Sequence, residues 1–168
     1  MGKVILIGFM GSGKTTVGLK LSYRLRMPVI DTDKEIEREE KRSISDIFAT
    51  DGEVYFRDKE TAYLRKLSKN AGNQIISVGG GLPLREENRR LLHELGQVFY
   101  LKASAETIYE RLKHDTTRPL LQGPDPQTKI RQLLGERDDF YMAAADVVVN
   151  VDGKDFEQIL CEIEQNVK

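Results

Sequence analysis

Gly8-Phe9-Met10-Gly11-Ser12-Gly13-Lys14-Thr15 is the stretch on which the reading of this chain turns. It fits G-x-x-x-x-G-K-[ST], a loop that wraps phosphate. Its flanks agree. Ahead of it, Lys3-Val4-Ile5-Leu6-Ile7 reads as a short buried strand, and behind it Val17, Leu21 and Leu25 recur at helical spacing. A strand, a glycine turn and a helix N-terminus make an anion site. Backbone N–H groups converge on a concavity, and the helix dipole adds partial positive charge. Gly8, Gly11 and Gly13 let the main chain bend around phosphate without Cβ clashes. Lys14 brings a full charge to the outer phosphates of a nucleotide, and the Thr15 hydroxyl suits Mg²⁺.

The rest of the composition narrows the class. A chain of 168 residues suffices for one domain with a sizeable core. Charged residues make up 32% and nearly balance, leaving a formal net charge of -1. That argues against a nucleic-acid binder working by bulk charge and against a polybasic membrane anchor. The single Cys161 excludes an intramolecular disulfide framework and points to a reducing, cytoplasmic compartment. It falls in an amphipathic C-terminal stretch, where a buried structural thiol is expected. No apolar run reaches the ~18 residues that suggest a membrane span. The chain opens on a strand rather than on a signal-peptide pattern. A monomer with neither nucleic-acid nor membrane partners is expected.

Apolar runs alternate with helical patterns. Strands are predicted at 4–7, 28–31, 74–78, 97–101 and 146–151, and helices at 14–25, 43–48, 52–67, 85–95, 105–113, 130–141 and 156–167. Such alternation predicts an α/β protein with a parallel sheet covered on both faces. Right-handed crossovers place the strand C-terminal ends on one edge, where ligands bind. The charged run 35–42 reads as a solvated helix face. The stretch 115–127 holds three prolines and a glycine and carries Arg118. It reads as an irregular loop, either a surface connection or a lid over a nucleotide site.

Three further constellations carry chemistry. Asp31-Thr32-Asp33 ends the second strand. Asp31 is placed to face the phosphate loop and hold Mg²⁺, and Asp33 to accept hydrogen bonds from a substrate hydroxyl and take its proton. An aspartate at a strand-to-helix junction also serves as an N-cap. Gly79-Gly80-Gly81 closes the third strand and permits close approach of a ligand, or simply turns the chain. Arg57 and Arg137 lie beside aromatic positions. Each offers a planar fork for a carboxylate, or an ion pair at the surface. His93 and His114 show no ligand spacing, and no Cys/His cluster for zinc occurs.

Taken together these residues resemble the shikimate kinases. The matching segments are 8–16, 31–33, 47–53 with Phe56-Arg57, 79–81, Arg118-Pro119-Leu120-Leu121, and Arg137 with Tyr141, in family order. The phosphate loop marks only a superfamily, whereas the other segments are far more specific. The resemblance implies a three-layer P-loop kinase fold like that of the nucleoside monophosphate kinases. Its five-stranded parallel sheet would have the strand order 2-3-1-4-5. It implies one kinase domain over 1–168, with a substrate-binding segment at about 32–60 and a lid at about 112–127. It also implies an enzyme that moves the γ-phosphate of ATP to the 3-hydroxyl of shikimate, in aromatic amino-acid biosynthesis. On this resemblance Gly11, Ser12, Gly13, Lys14, Thr15 and Thr16 hold the ATP phosphates, and Thr15 and Asp31 support Mg²⁺. Asp33 is the candidate base. Arg57 and Arg137 grip the shikimate carboxylate, and Gly79, Gly80 and Gly81 contact the ring substituents. Lys14 and Arg118 act on the transferring phosphate, while Arg111 and Lys154 lie by the adenine.

Three rivals stand beside this reading. Another small-molecule kinase of the same fold, acting on gluconate or a nucleotide, would use the same loop. A GTPase switch would need an Asn-Lys-x-Asp motif, which the sequence lacks. A catalytically dead scaffold would not need Lys14, Thr15, Asp31 and Asp33 together.

Overall fold

Val4, Ile5, Leu6 and Ile7 are all but fully buried, as a strand covered on both faces requires. The structure, a computed structural model, describes residues 2–114 and 123–168. Its strands are β1 (Lys3–Ile7), β2 (Val29–Asp31), β3 (Ile75–Ser77), β4 (Gly96–Lys102) and β5 (Val147–Asn150). Its helices are α1 (Lys14–Leu25), α2 (Thr32–Glu40), α3 (Ile44–Asp51), α4 (Glu53–Leu67), α5 (Glu86–Leu95), α6 (Ala105–Leu112), α7 (Pro126–Ala144) and α8 (Phe156–Asn166). A short 3₁₀ turn, Leu82–Leu84, follows β3. The strands form one sheet in the order β2-β3-β1-β4-β5, and every pairing is parallel.

Register shows which helices cover which face. Leu6 pairs with Ser77 and Phe99, and Ile7 pairs with Tyr100. Side chains at paired positions point the same way, and successive residues point oppositely. A Cβ on Gly18 of α1 would stand 3.6 Å from Leu6 and 3.3 Å from Val29. Helix α1 therefore packs closely on the Leu6 face. On the opposite face the Tyr100 hydroxyl donates to Asp138 Oδ1 of α7 at 2.7 Å. Helix α8 packs with α1, and α5 packs with α7, which completes three layers.

Most element boundaries fall within a residue or two of the sequence expectations. Helix α7 is the main exception. It starts at Pro126, four residues before the expected position and inside the stretch read as loop. The Asp125 side chain accepts from Thr128 N, and Pro126 at the first turn has no N–H to leave unsatisfied. The Asp-Pro pair is a helix start. Residues 115–122, and with them Arg118 and most of the expected lid, lie outside the described residues. The run 35–42 is only partly a solvated face. Glu40 accepts from Arg42 and from the Tyr55 hydroxyl, and Arg42 also pairs with Asp51, tying α2 to α3 and α4. Cys161 is exposed on α8, not buried as expected. The apolar stripe of that helix is Ile159, Leu160 and Ile163, and Cys161 falls on its other side, next to Arg24 and Glu157. Among the described residues, no helix is long and apolar enough to cross a membrane.

Candidate active site

The C-terminal ends of β1, β2 and β3 open into a cavity of about 510 Å³. Its phosphate end is the loop after β1. Gly11 and Gly13 adopt φ of 80° and 101°, which only glycine takes without strain. Gly13 caps α1 with no side chain, so the first N–H groups of that helix are left for a ligand. Lys14 Nζ donates to Gly8 O at 2.6 Å and to Phe9 O at 3.1 Å, which holds the amine over its own loop. Lys14, Thr15 and Thr16 all line the cavity.

Helix α2 follows β2 without an intervening loop, and this places both aspartates. Asp31 is the N-cap, and its Oδ1 accepts from Asp33 N at 2.9 Å and Lys34 N at 3.3 Å. It also lines the cavity, so the N-cap role leaves its carboxylate at the edge of the site. Asp33, on the first turn, packs against the turn after β3. A Cβ on Gly79 would overlap Asp33 Oδ1, so the glycine is what admits the carboxylate. Burial pushes Asp33 up to about 6; the charge of Asp31 adds to this, and Lys14 and Arg57 oppose it.

Two arginines also line the cavity. Arg57 projects from α4, stacks over Phe56 at 5.4 Å and donates to Glu60 Oε1 at 2.8 Å. A Cβ on Gly81 would overlap its guanidinium. Arg137 on α7 lies over the Phe9 ring at 5.6 Å, and a Cβ on Gly80 would stand 3.4 Å from its Nη1. Gly79, Gly80, Gly81, Asp33, Arg57 and Arg137 thus border one cavity. Among the described residues, three buried side-chain polar atoms have no hydrogen-bond partner: Ser12 Oγ, Asp33 Oδ1 and Glu60 Oε2. Asp33 and Glu60 line this cavity, and Ser12 belongs to the phosphate loop beside it. Buried polar atoms are seldom left unpaired, so Asp33 Oδ1 and Glu60 Oε2 are acceptors available at the edge of the cavity.

Arg111 reaches the loop, with Nη1 donating to Gly11 O at 3.3 Å and its guanidinium 5.7 Å above the Phe156 ring. Lys154 is engaged elsewhere, donating to Glu162 of α8 at 3.1 Å, and does not line the cavity. Several residues escaped the sequence reading. Glu60 is fully buried, and its signal was its place three residues after Arg57 on the same helix face. Ile44, Phe48 and Phe56 form an apolar wall, which in sequence looks like ordinary core.

The residues present suit Mg²⁺. Thr15 and Asp31 offer a hydroxyl and a carboxylate to the same cavity. Among the described residues no group of three or more His, Cys, Asp or Glu gathers. An ion that prefers oxygen, takes few protein ligands and keeps waters and substrate phosphates matches that donor set.

The buried carboxyls have a consequence for stability. Burial pushes Glu60 up to about 7, with Arg57 opposing, while Asp33 stands at about 6. Their ordinary values are 4.5 and 3.8. The folded chain therefore holds protons that the unfolded chain has already released. Both groups support folding below their ordinary values and withdraw that support as the pH rises through about 6 and about 7. For one carboxyl shifted this far the change is on the order of 2–3 kcal/mol. Calorimetric unfolding of the ligand-free protein between pH 4 and 8 should show a smaller loss with rising pH for Glu60→Gln than for the unaltered chain. Equal slopes would mean that Glu60 titrates normally.

A family model described as shikimate kinase matches residues 10–168. This chain belongs to the shikimate kinase family. The shikimate kinase of Symbiobacterium thermophilum is 40% identical over 167 residues, covering 98% of this chain and 95% of that protein. A solved shikimate kinase from Acinetobacter baumannii in complex with shikimate superposes with a TM-score of 0.90 at 36% identity, covering 98% of this chain and 92% of that one. A gluconokinase from Sinorhizobium meliloti superposes with a TM-score of 0.56 at 17% identity, covering 96% and 88%, and shares the fold alone. The five-stranded sheet and its order agree with the family assignment.

Proposed function

We infer that this chain transfers the γ-phosphate of ATP to the 3-hydroxyl of shikimate, giving shikimate 3-phosphate and ADP on the way to chorismate and the aromatic amino acids. The observation that carries this reading is the convergence of a phosphate loop, the Asp33 carboxylate and two arginine forks on a single cavity. A small anionic polyol needs cations for its carboxylate and a carboxylate for its hydroxyls. The chain acts as a single kinase domain, with 32–60 supplying acceptor contacts and 112–127 the lid. It works as a cytoplasmic monomer.

In this reading Arg57 and Arg137 hold the shikimate carboxylate and thereby aim the ring. Asp33 accepts from the ring hydroxyls. As the 3-oxygen forms its bond to the γ-phosphorus, Asp33 takes the proton. The bond from the γ-phosphorus to the β–γ bridging oxygen breaks, and its electron pair leaves with ADP. Backbone N–H groups of 11–16 cradle the phosphates, and Lys14 offsets the charge that develops on them. Thr15 and Asp31 would hold Mg²⁺, which would neutralise phosphate charge. Gly79, Gly80 and Gly81 let the ring approach the main chain, and Arg111 flanks the nucleotide. Arg118 acts from the lid, and Lys154 has the weakest tie to the site.

A coupled ADP-release assay with shikimate, quinate, gluconate and nucleoside monophosphates as acceptors tests the reading. Mg²⁺-dependent ADP formation should rise with shikimate. A rate indifferent to shikimate but raised by a nucleoside monophosphate would overturn it.

A further inference from the structure

The turn 79–82 is pinned by side chains from three separate helices. Gly79 N donates to Thr32 Oγ1 at 3.1 Å. The Tyr141 hydroxyl donates to Gly80 O at 2.7 Å. Asn88 Nδ2 donates to Leu82 O at 2.9 Å, and Asn88 Oδ1 accepts from the Thr61 hydroxyl at 2.7 Å. Thr32, Asn88, Thr61 and Tyr141 are all buried. Thr32, Thr61 and Tyr141 each belong to a helix that also carries one acceptor-site residue, and Asn88 on α5 links Thr61 to the turn. Thr32 precedes Asp33 on α2. Thr61 lies one turn after Arg57 on α4, and Tyr141 one turn after Arg137 on α7. Three helices that do not share a loop are thus registered against one backbone segment.

We propose that Thr32, Thr61 with Asn88, and Tyr141 are positioning residues that hold Asp33, Arg57 and Arg137 in common register on the turn 79–82. The proposal rests on the kinase reading above and deepens it. The physical need is clear. Each acceptor-site side chain is long or rotatable, and each is fitted against a glycine whose Cβ would meet it. A small shift of any one helix relative to the turn would break that fit, and displacements near 1 Å are costly at a reacting centre. Buried hydrogen bonds specify such a register better than apolar packing, because a slipped donor or acceptor is left without a partner.

The pins make separable predictions. Loss of a pin should carry the kinetic signature of the residue it registers. Tyr141→Phe and Thr61→Val should each raise the KM for shikimate about three- to tenfold, the scale of one net hydrogen bond, through the arginines. They should leave kcat and the KM for ATP nearly unchanged. Thr32→Val should instead lower kcat by about the same factor, through Asp33. Thr32→Ser and Thr61→Ser restore the hydroxyl and should restore the parameters. Calorimetric titration with shikimate alone should repeat the affinity losses without turnover. Lowered melting temperatures with unchanged kinetic constants, or one identical kinetic change in all three variants, would overturn the proposal. Absence of shikimate-dependent turnover in the unaltered chain would instead defeat the kinase reading.

Discussion

Asp33→Asn lowers kcat by about 10²-fold or more, the usual scale for a positioned acid or base, and shifts the pH profile with it. The asparagine keeps the size and the N-terminal place of the side chain but cannot accept a proton. Gly79 still leaves room for it, and the N-cap made by Asp31 is untouched. The fold should therefore survive, and circular dichroism with a thermal scan would check this. In the unaltered enzyme, Asp33 must be ionised to act as a base, and burial holds it at about 6. The value of kcat/KM should fall as the pH drops through that region, because the protonated fraction grows. In Asp33→Asn the residual activity should lose that limb. A variant with normal kcat and a raised shikimate KM would show that Asp33 binds the substrate but takes no proton.

Lys14→Met should lower kcat by about 10²- to 10³-fold, the cost of removing one preorganised group that stabilises transition-state charge. Methionine approximates the stem of lysine without its ammonium. The amine is held over the loop by hydrogen bonds to Gly8 O and Phe9 O. Its loss should also weaken ATP, because the same charge meets the ground-state phosphates. The KM for shikimate should move least, since in the proposed reading that substrate is held by Arg57 and Arg137 rather than by Lys14. Steady-state kinetics with each substrate varied would separate the three effects. A Lys14→Met enzyme within tenfold of normal kcat would mean that the loop N–H groups alone suffice.

Much of this was legible in the sequence because the decisive signals are local. The phosphate loop, the Asp-x-Asp step and the triple glycine each occupy a few consecutive residues at strand ends. The parallel sheet could be read from apolar runs alternating with helical periods. What escaped was non-local or ambiguous in kind. Glu60 matters because Arg57 and Asp33 crowd it, and nothing in its neighbours along the chain announces burial. Asn88 matters through Leu82 and Thr61, which only the fold brings to it. Pro126 sits in a proline-rich stretch that predicts a loop, because proline ends helices more visibly than it starts them, yet Asp125 makes it a start. Cys161 was placed inside from the amphipathic pattern of its segment, but a residue on such a helix can face either way until the partner surface is known.

The two ends of the cavity differ in how they are encoded. The phosphate end is one uninterrupted segment, from Gly8 to Thr16, on a single strand-turn-helix unit. The acceptor end is not confined to one segment; 32–60 carries Asp33 and Arg57, but the site is complete only where α2, α4 and α7 meet the turn after β3. The donor half is therefore a portable cassette, able to pass between proteins by copying one stretch of chain. The acceptor half is a treaty among distant helices, and revising it means renegotiating several positions at once. That asymmetry says where an engineer seeking a new acceptor should work: on the helices facing the turn, with the phosphate loop left alone.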